Sequence, residues 1–475
     1  MGDHTALLMM RAPATQRRPT DGAATTPPRT GATARMPTIG YVLMGFPRLS
    51  ETFIASELLR VERAGIPLAL FVVKPVEERE RGLSHPVADA LVARPSYLTE
   101  ASALKAPLRR WRPRHLRPFL GALRRVARER PRGLARASAG ALYRMARDRS
   151  RPWSAPRTVP AKELLQAIAL ADRLLDAPEI RHLHAHFAHG TTTIAWRAAQ
   201  IAGLPFSFTG HARDIYAPEL NPNGLLRTKL LAARFAVTCT EANRRHLLEI
   251  APEARVHRIY HGLNAEVGAL LRDAAPRVPS DGRLRILGVG RLVAKKGFDV
   301  LVDACAELRR RGVPFEARIV GQDDKHGDVV RARIAALGLE DDVVLPGPTD
   351  QAGLCSAYRG SDVLCLPCRL LPNDRDGIPN VLVEAMACGT PVVSTAVSAI
   401  PELVADGENG LLVAPEDPIA LADALERLHA DRVLAARLAR AGERTVRERF
   451  DGERMAGELA DVFRRHVADL EAARA

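Results

Sequence analysis

No stretch of this 475-residue chain approaches the ~20 uninterrupted apolar residues that a helix needs to cross a bilayer, although 47% of its residues are apolar. The expectation is therefore a soluble or peripheral protein. Cysteine is scarce as well: Cys239, Cys305, Cys355, Cys365, Cys368 and Cys388 follow no repeating spacing. That disfavours a disulfide framework, and a reducing compartment fits best. Cys365 and Cys368 make one C-x-x-C, but no second pair completes four zinc ligands, so they read as core thiols at a strand end. Residues 1–35 lack an apolar core of signal-peptide length. Rich in Thr, Ala, Pro, Arg and Gly, they cannot bury enough surface to fold. The expectation is a disordered tail, or a mis-assigned start with translation opening at Met36.

Acidic counter-charge is missing in one region. Residues 105–157 hold one lysine and 16 arginines against Glu129 and Asp148, a net +15, so the rest of the chain is about neutral within an overall +14. Trp111, Leu116, Phe119, Leu120, Leu123 and Val126 punctuate these arginines. An amphipathic segment on anionic lipid is the first reading, with Trp111 and Phe119 entering the headgroup boundary. A solvated helical face comes second and a groove for nucleic acid third.

What the chain has in abundance is alternation. After Met36, short apolar runs such as TIGYVLM, PLALFVV, RHLHAHF and PFSFTG alternate with helix-length amphipathic runs, the pattern of parallel sheets with crossover helices. The length exceeds what one core normally serves. We expect a first doubly wound domain over 36–275, carrying a basic helical insertion at about 101–158. The segment LRDAAPRVPSDG, with Pro276, Pro279 and Gly282, reads as the linker. A second wound domain follows over 283–450, and a last helix over 453–472 can cross back to the first. Ligands of such sheets bind at the carboxyl ends of the strands, so two facing domains create a cleft.

Two stretches carry the chemistry. In GVGRLVAKKGF, residues 288–298, Arg291 and Lys296 stand at a strand end ahead of a helix. Two fixed cations stabilise the charge that grows on a diphosphate leaving group, and Gly297 leaves room at the helix start. In DGIPNVLVEAMACGTPVV, residues 376–393, Asp376 and Glu384 lie eight apart, about two helical turns, so both carboxylates can point into one pocket. Carboxylates accept paired hydroxyls, as sugars and ribose present them. Pro379 fits the helix start and leaves neighbouring amides free for phosphate oxygens. Among the histidines, His211 ends a first-domain strand, while period-2 alternation places His182, His184 and His186 on one strand face, with His189 beyond. That cluster has the ligand types of a metal site, but no carboxylate or cysteine adjoins it in sequence. The pairs Asp323-Asp324 and Asp341-Asp342 are weak signals for a divalent ion. In GFPRLSETF, Gly45 allows close approach, Ser50 is a candidate N-cap, and Glu51 either caps the helix or faces an acceptor hydroxyl.

At these stretches the chain resembles the retaining glycosyltransferases of family 4, whose α/β GT-B fold sets two doubly wound Rossmann-like domains across a cleft. GFPRLSETFI at 45–54, HLHAHF at 182–187 and TGHARDIY at 209–216 are most similar to the exopolysaccharide, colanic-acid-biosynthesis type. The resemblance implies that Arg291 and Lys296 hold the donor diphosphate, that Glu384 binds the ribose, and that Gly45, Gly377, Ile378, Pro379 and Asn380 line the donor. Asp376 stands where the family usually has Glu, touching the transferred sugar. His211 is implied beside the anomeric carbon, and Glu51 and His186 on the acceptor side. A nucleotide-sugar donor, a saccharide or lipid-linked acceptor and an anionic membrane surface are the implied partners, with the protein in the cytoplasm, peripheral at the inner face of the cell membrane. No metal, other cofactor or nucleic acid is expected. The rival readings are a sugar-nucleotide epimerase of the same architecture and a basic nucleic-acid-binding protein.

Overall fold

The computed structural model describes residues 36–48, 52–74, 86–101, 104, 110–148, 157–263, 267, 268, 270, 282–372 and 374–472. The tail, most of the linker stretch, Ser50 and Glu51 lie outside them. Seven strands form the first sheet: β1 Thr38–Leu43, β2 Leu68–Val72, β3 Pro95–Tyr97, β4 Ile180–His186, β5 Phe206–Gly210, β6 Phe235–Thr238 and β7 Val256–Arg258. Their order is β3-β2-β1-β4-β5-β6-β7 and every pairing is parallel. The second sheet holds β8 Leu284–Val289, β9 Phe315–Val320, β10 Val343–Gly347, β11 Val363–Leu366, β12 Val392–Thr395 and β13 Leu411–Val413. It is again parallel, in the order β10-β9-β8-β11-β12-β13. Parallel strands covered on both faces need near-continuous apolar sequence, which is why TIGYVL and VLCL are almost wholly buried. The three-residue strands β3 and β13 are too short to show such a run, and they extend each sheet beyond what periodicity indicates.

Strand order reverses between β1 and β4 and between β8 and β11, and the loops after these strands carry the site. The sequence end returns to the first sheet. Helix Gly452–Ala472 places Phe463, fully buried, with its ring centroid 6.0 Å from Tyr41, 5.2 Å from His184 and 5.9 Å from Phe235. Glu453 pairs with Arg60 of helix Thr52–Arg63 at 3.1 Å. On the same sheet face the three histidines of β4 form a buried polar ladder: His182 and His184 share the Ser207 hydroxyl at 2.6 and 2.7 Å, and His184 reaches Thr209 at 2.9 Å. Burial pushes His182 down to about 3 and His184 well below its ordinary value, so both rings are neutral and act as hydrogen-bonding core.

The basic insertion corrects the sequence reading. Its helices Leu120–Glu129 and Pro131–Arg147 pack on helix Val159–Leu175 and its neighbour Gly190–Ala202. Phe119 is 1% exposed against Ala101, Leu104 and Ala169, with Trp111 and Leu116 partly buried beside it. These rings are spent on the protein's own core and do not offer themselves to a lipid surface. Several arginines are structural too: Arg125 grips Asp176 through two hydrogen bonds of 2.6 and 2.7 Å, and buried Arg144 pairs with Asp148 at 2.8 Å. An amphipathic stripe marks a buried face without saying what buries it. Among the described residues no helix is long and apolar enough to cross a membrane.

Candidate active site

Strand β8 ends at Val289, and the chain turns through Arg291 into a short 3₁₀ turn, Ala294–Lys296, before helix Phe298–Arg310. Gly297 makes this possible. It sits at φ +68°, and a Cβ there would run into the Pro367 carbonyl oxygen at the end of β11. The close approach presses the lysine turn against the loop that follows β11. There Asp376 receives Lys296 Nζ at 2.8 Å and Lys295 Nζ at 3.3 Å, and Lys295 also reaches Asp374 at 2.8 Å. The lysine side chains are only 13% and 10% exposed.

Burial alone would raise the Asp376 carboxyl, but the two ammonium groups override it and hold the group at about 2. Burial likewise opposes the Lys296 charge, and Asp376 outweighs it, raising Lys296 above its ordinary value. Each charge is thus kept by the other. Arg291 stays at the rim, its side chain half-exposed and 3.2 Å from Asp324. It does not join the lysine cluster directly.

Helix Asn380–Ala387 begins just after Pro379, its N-cap. Glu384, one turn in, is buried and accepts a hydrogen bond of 3.0 Å from the Tyr358 hydroxyl. Asp376 precedes the helix by four residues, so the two carboxylates occupy different surroundings: one between ammonium groups, the other against a phenol. Ile378 and Asn380 line a narrow crevice together with Cys239, Tyr260 and His261 of the first domain. Gly377 faces the first domain, where a Cβ on it would lie in ordinary contact with Thr240 Cγ2 at 3.4 Å and Cys239 Sγ at 3.9 Å. Glu402 reinforces the contact, accepting from the Glu241 and Ala242 amides at 2.7 and 2.8 Å and from the Tyr260 hydroxyl at 3.0 Å.

On the first-domain wall, His211 follows β5. Its backbone N–H donates to Asp214 at 2.7 Å, and Asp214 also accepts from the Ala188 amide, which ties the loops after β4 and β5 together. The His211 ring stacks on His261 at 5.2 Å and His186 at 5.6 Å, with Phe53 edge-on at 5.4 Å. Burial and the neighbouring imidazoles push His211 well below its ordinary value, so it is neutral. His186 is a correction to the sequence reading. It is fully buried, with Nε2 3.0 Å from Glu57 and Nδ1 3.4 Å from His211, so it supports His211 and cannot itself face an acceptor. Gly45 is buried, and a Cβ on it would press on the Arg48 side chain. Glu51 lies outside the described residues.

Lys295, Glu57, Tyr358, His261 and Cys239 escape the sequence reading, since their roles come from partners distant in the chain. Only Lys295 had a local signal, its adjacency to Lys296. Ligand atoms of His211, Cys239 and His261 lie within 4.8 Å of one another, a geometry that can hold a metal. Burial pushes the Cys239 thiol up to about 12 and His261 down to about 4, so a metal would first have to displace the thiol proton.

The family model for glycosyl transferases group 1 matches residues 283–431, the domain that carries both lysines, Asp376 and Glu384. A phosphatidyl-myo-inositol mannosyltransferase of Mycobacterium leprae is 33% identical over 287 residues, 59% of this chain and 72% of that protein. A D-inositol 3-phosphate glycosyltransferase of Xylanimonas cellulosilytica is 35% identical over 44% of this chain, and the putative colanic acid biosynthesis glycosyltransferase WcaL of Escherichia coli is 33% identical over 53%. The chain spans about half the length of these two, 51% and 54%. Among solved structures, sucrose-phosphate synthase from Thermosynechococcus elongatus superposes with a TM-score of 0.63 at 20% identity, covering 92% of this chain and 100% of its own. Anabaena HepE in complex with UDP and glucose gives 0.60 at 17%, covering 90% and 99%. These superpositions establish two Rossmann-like domains in the GT-B arrangement. The chain belongs to the group 1 glycosyl transferases.

The Lys295–Asp376–Lys296 cluster makes a pH prediction. The folded carboxyl titrates below its ordinary 3.8, so its contribution to stability is complete above that value and is lost as pH falls toward about 2. In acid unfolding, the stability gap between wild type and Asp376→Asn should be constant above pH 4 and shrink toward pH 2. A gap that instead grows below pH 4 would contradict the assignment.

Proposed function

We propose that the chain transfers a sugar from a uridine- or guanosine-diphosphate sugar to a saccharide or lipid-linked acceptor in exopolysaccharide or cell-surface glycan synthesis, with retention at the anomeric carbon. The observation that carries this reading is the meeting of Lys296, Lys295 and Asp376 at the strand ends of the second sheet, beside the first turn of helix Asn380–Ala387. A donor diphosphate arriving here finds two ammonium groups, with Arg291 at the rim, and exchanges them against Asp376. The carboxylate is then left to accept hydroxyls of the transferred sugar. Glu384 accepts the ribose hydroxyls in place of the Tyr358 hydroxyl.

As the bond from the anomeric carbon to the diphosphate breaks, its electron pair stays on the phosphate oxygen, where the cations stabilise it. The acceptor oxygen bonds to the same face of that carbon, and its proton passes to the departing phosphate. His211, being neutral, offers a hydrogen bond without placing a positive charge beside the carbon that is becoming electron-poor. The fixed cations take the place of a bridging divalent ion, so the reaction proceeds without metal. Domain contact through Glu402 and Gly377 excludes water and limits hydrolysis of the donor.

With purified, folded protein, Lys296→Ala and Arg291→Ala should each lose transfer by about a hundredfold or more, while wild type keeps its rate in excess chelator. Glu384→Ala should weaken binding of the bare diphosphate, and Asp376→Ala should spare it but impair the sugar donor. Turnover of donor to a new sugar nucleotide without acceptor would contradict the reading, as would wild-type rates in both cation variants.

The insertion supports a peripheral membrane role through its outer face, where Leu142 and Tyr143 stand 63% and 58% exposed among solvent-facing arginines such as Arg132, Arg136 and Arg147. Each such arginine contributes on the order of 1 kcal/mol near an anionic bilayer. Replacing Arg132, Arg136 and Arg147 by Gln should abolish co-sedimentation with phosphatidylserine-containing vesicles and leave donor binding intact. Failure of wild type to bind these vesicles at low salt would defeat it.

A further inference from the structure

Beside the cleft, the first domain holds a second cavity, of about 330 Å³, at the ends of β1, β2 and β4. Its wall includes Gln166 and Glu163 of helix Val159–Leu175, Lys74 after β2, and His189 at the start of helix Gly190–Ala202. Gln166 is 3% exposed, and its Oε1 has no hydrogen-bond partner among the described residues. Leaving a buried carbonyl oxygen without a donor is unfavourable, so a bound group that donates to it is favoured. The rest of the wall restricts what that group can be. Among the described lining residues three basic side chains, Lys74 and Lys162 among them, face four carboxylates, Glu100 and Glu163 among them. Burial and nearby cations push His189 down to about 4, so it adds no charge. A wall this evenly balanced favours neither an anion nor a cation. It suits a neutral ligand dense in groups that both donate and accept, with C–H faces for Met44, Ile194 and Leu220.

The cavity also adjoins the chemistry. The His189 ring stacks on Phe187 at 5.5 Å, and Phe187 lies 4.8 Å from the His211 ring. Two stacked side chains, His189 lining the cavity and Phe187 behind it, therefore lie between the cavity and the wall assigned to the anomeric carbon.

We propose that this cavity is the subsite for a neutral pyranose unit of the acceptor, with the Gln166 carbonyl accepting one of its hydroxyls. The assignment rests on the transferase reading above and adds to it the class of the acceptor and the residues that select it. A neutral saccharide enters with its ring over Met44 and Ile194, and Lys74 and Glu163 take hydroxyls on opposite sides. An anionic sugar or a phosphate is disfavoured by the carboxylates.

The test uses the whole chain saturated with UDP, so that the donor site is filled. Methyl α- and β-pyranosides of glucose, galactose and mannose are titrated and followed by saturation-transfer NMR on wild type, Gln166→Leu and Val159→Trp. Val159 lines the mouth of the cavity and is 43% exposed, so a larger side chain there blocks entry without loading the core. At least one glycoside should bind wild type and bind both variants at least tenfold more weakly, with UDP affinity unchanged within about twofold. Undiminished glycoside binding by Val159→Trp would overturn the proposal. So would wild type that binds UDP and inorganic phosphate but none of the glycosides. Wild type that binds neither UDP nor GDP would instead defeat the donor reading on which the subsite rests, and one that binds only GDP is titrated saturated with GDP in place of UDP.

Discussion

Two ammonium groups on one buried carboxylate are costly to assemble, and much of the second domain serves to assemble them. Lys295 and Lys296 can reach Asp376 only because the 3₁₀ turn after β8 lies against the end of β11, and that approach requires glycine at position 297. The parallel order of the second sheet brings β8 and β11 side by side, so residues some eighty apart in sequence meet at one strand edge. Once assembled, the cluster is self-consistent, because removing Asp376 would take the carboxylate from Lys296 while Lys295 keeps Asp374, and removing the lysines would leave Asp376 without its cations. A ligand that offers phosphate charge to the lysines and hydroxyls to the carboxylate satisfies both without that penalty.

The first domain depends on the same arrangement from the other side. Its own polar interior, the ladder from His182 to His186, is hydrogen-bonded through Ser207 and Thr209, and it ends on the His211 ring at the cleft wall. Asp214 fixes the backbone at His211 and Ala188 together, so the loops after β4 and β5 are tied to one another. Glu402 then ties this wall to the second domain through the Glu241 and Ala242 amides and the Tyr260 hydroxyl. The C-terminal helix closes the circuit by burying Phe463 against the first sheet, so the chain's two halves share one boundary at the cleft and another at their backs.

Much of this was legible from residue patterns. The apolar runs TIGYVLM, PLALFVV, RHLHAHF and PFSFTG mark β1, β2, β4 and β5, whereas the three-residue β3 and β13 show no such run. The spacing of Arg291, Lys296, Asp376 and Glu384 pointed to one ligand, and in the structure Lys296 and Asp376 touch while Arg291 sits apart on Asp324. Pattern could not tell that Lys295 would share Asp376, or that Tyr358 would hold Glu384, since those pairings are set by the sheet order. Nor could it distinguish protein from lipid as the partner of Phe119, because both bury an apolar stripe in the same way. His186 shows the same limit: alternation fixes the strand face of a side chain, while its distance from solvent is set by what packs above it.

The central claim is that the lysine cluster is a nucleoside-diphosphate site, and thermal unfolding of the whole chain with added UDP or GDP tests it most directly. A ligand that binds only the folded state adds about 2.7 kcal/mol at a hundredfold excess over its Kd, which is a rise of several degrees for domains of this size. The account predicts such a rise with at least one of the two diphosphates and none with inorganic phosphate at the same concentration. A midpoint that neither diphosphate moves would contradict it.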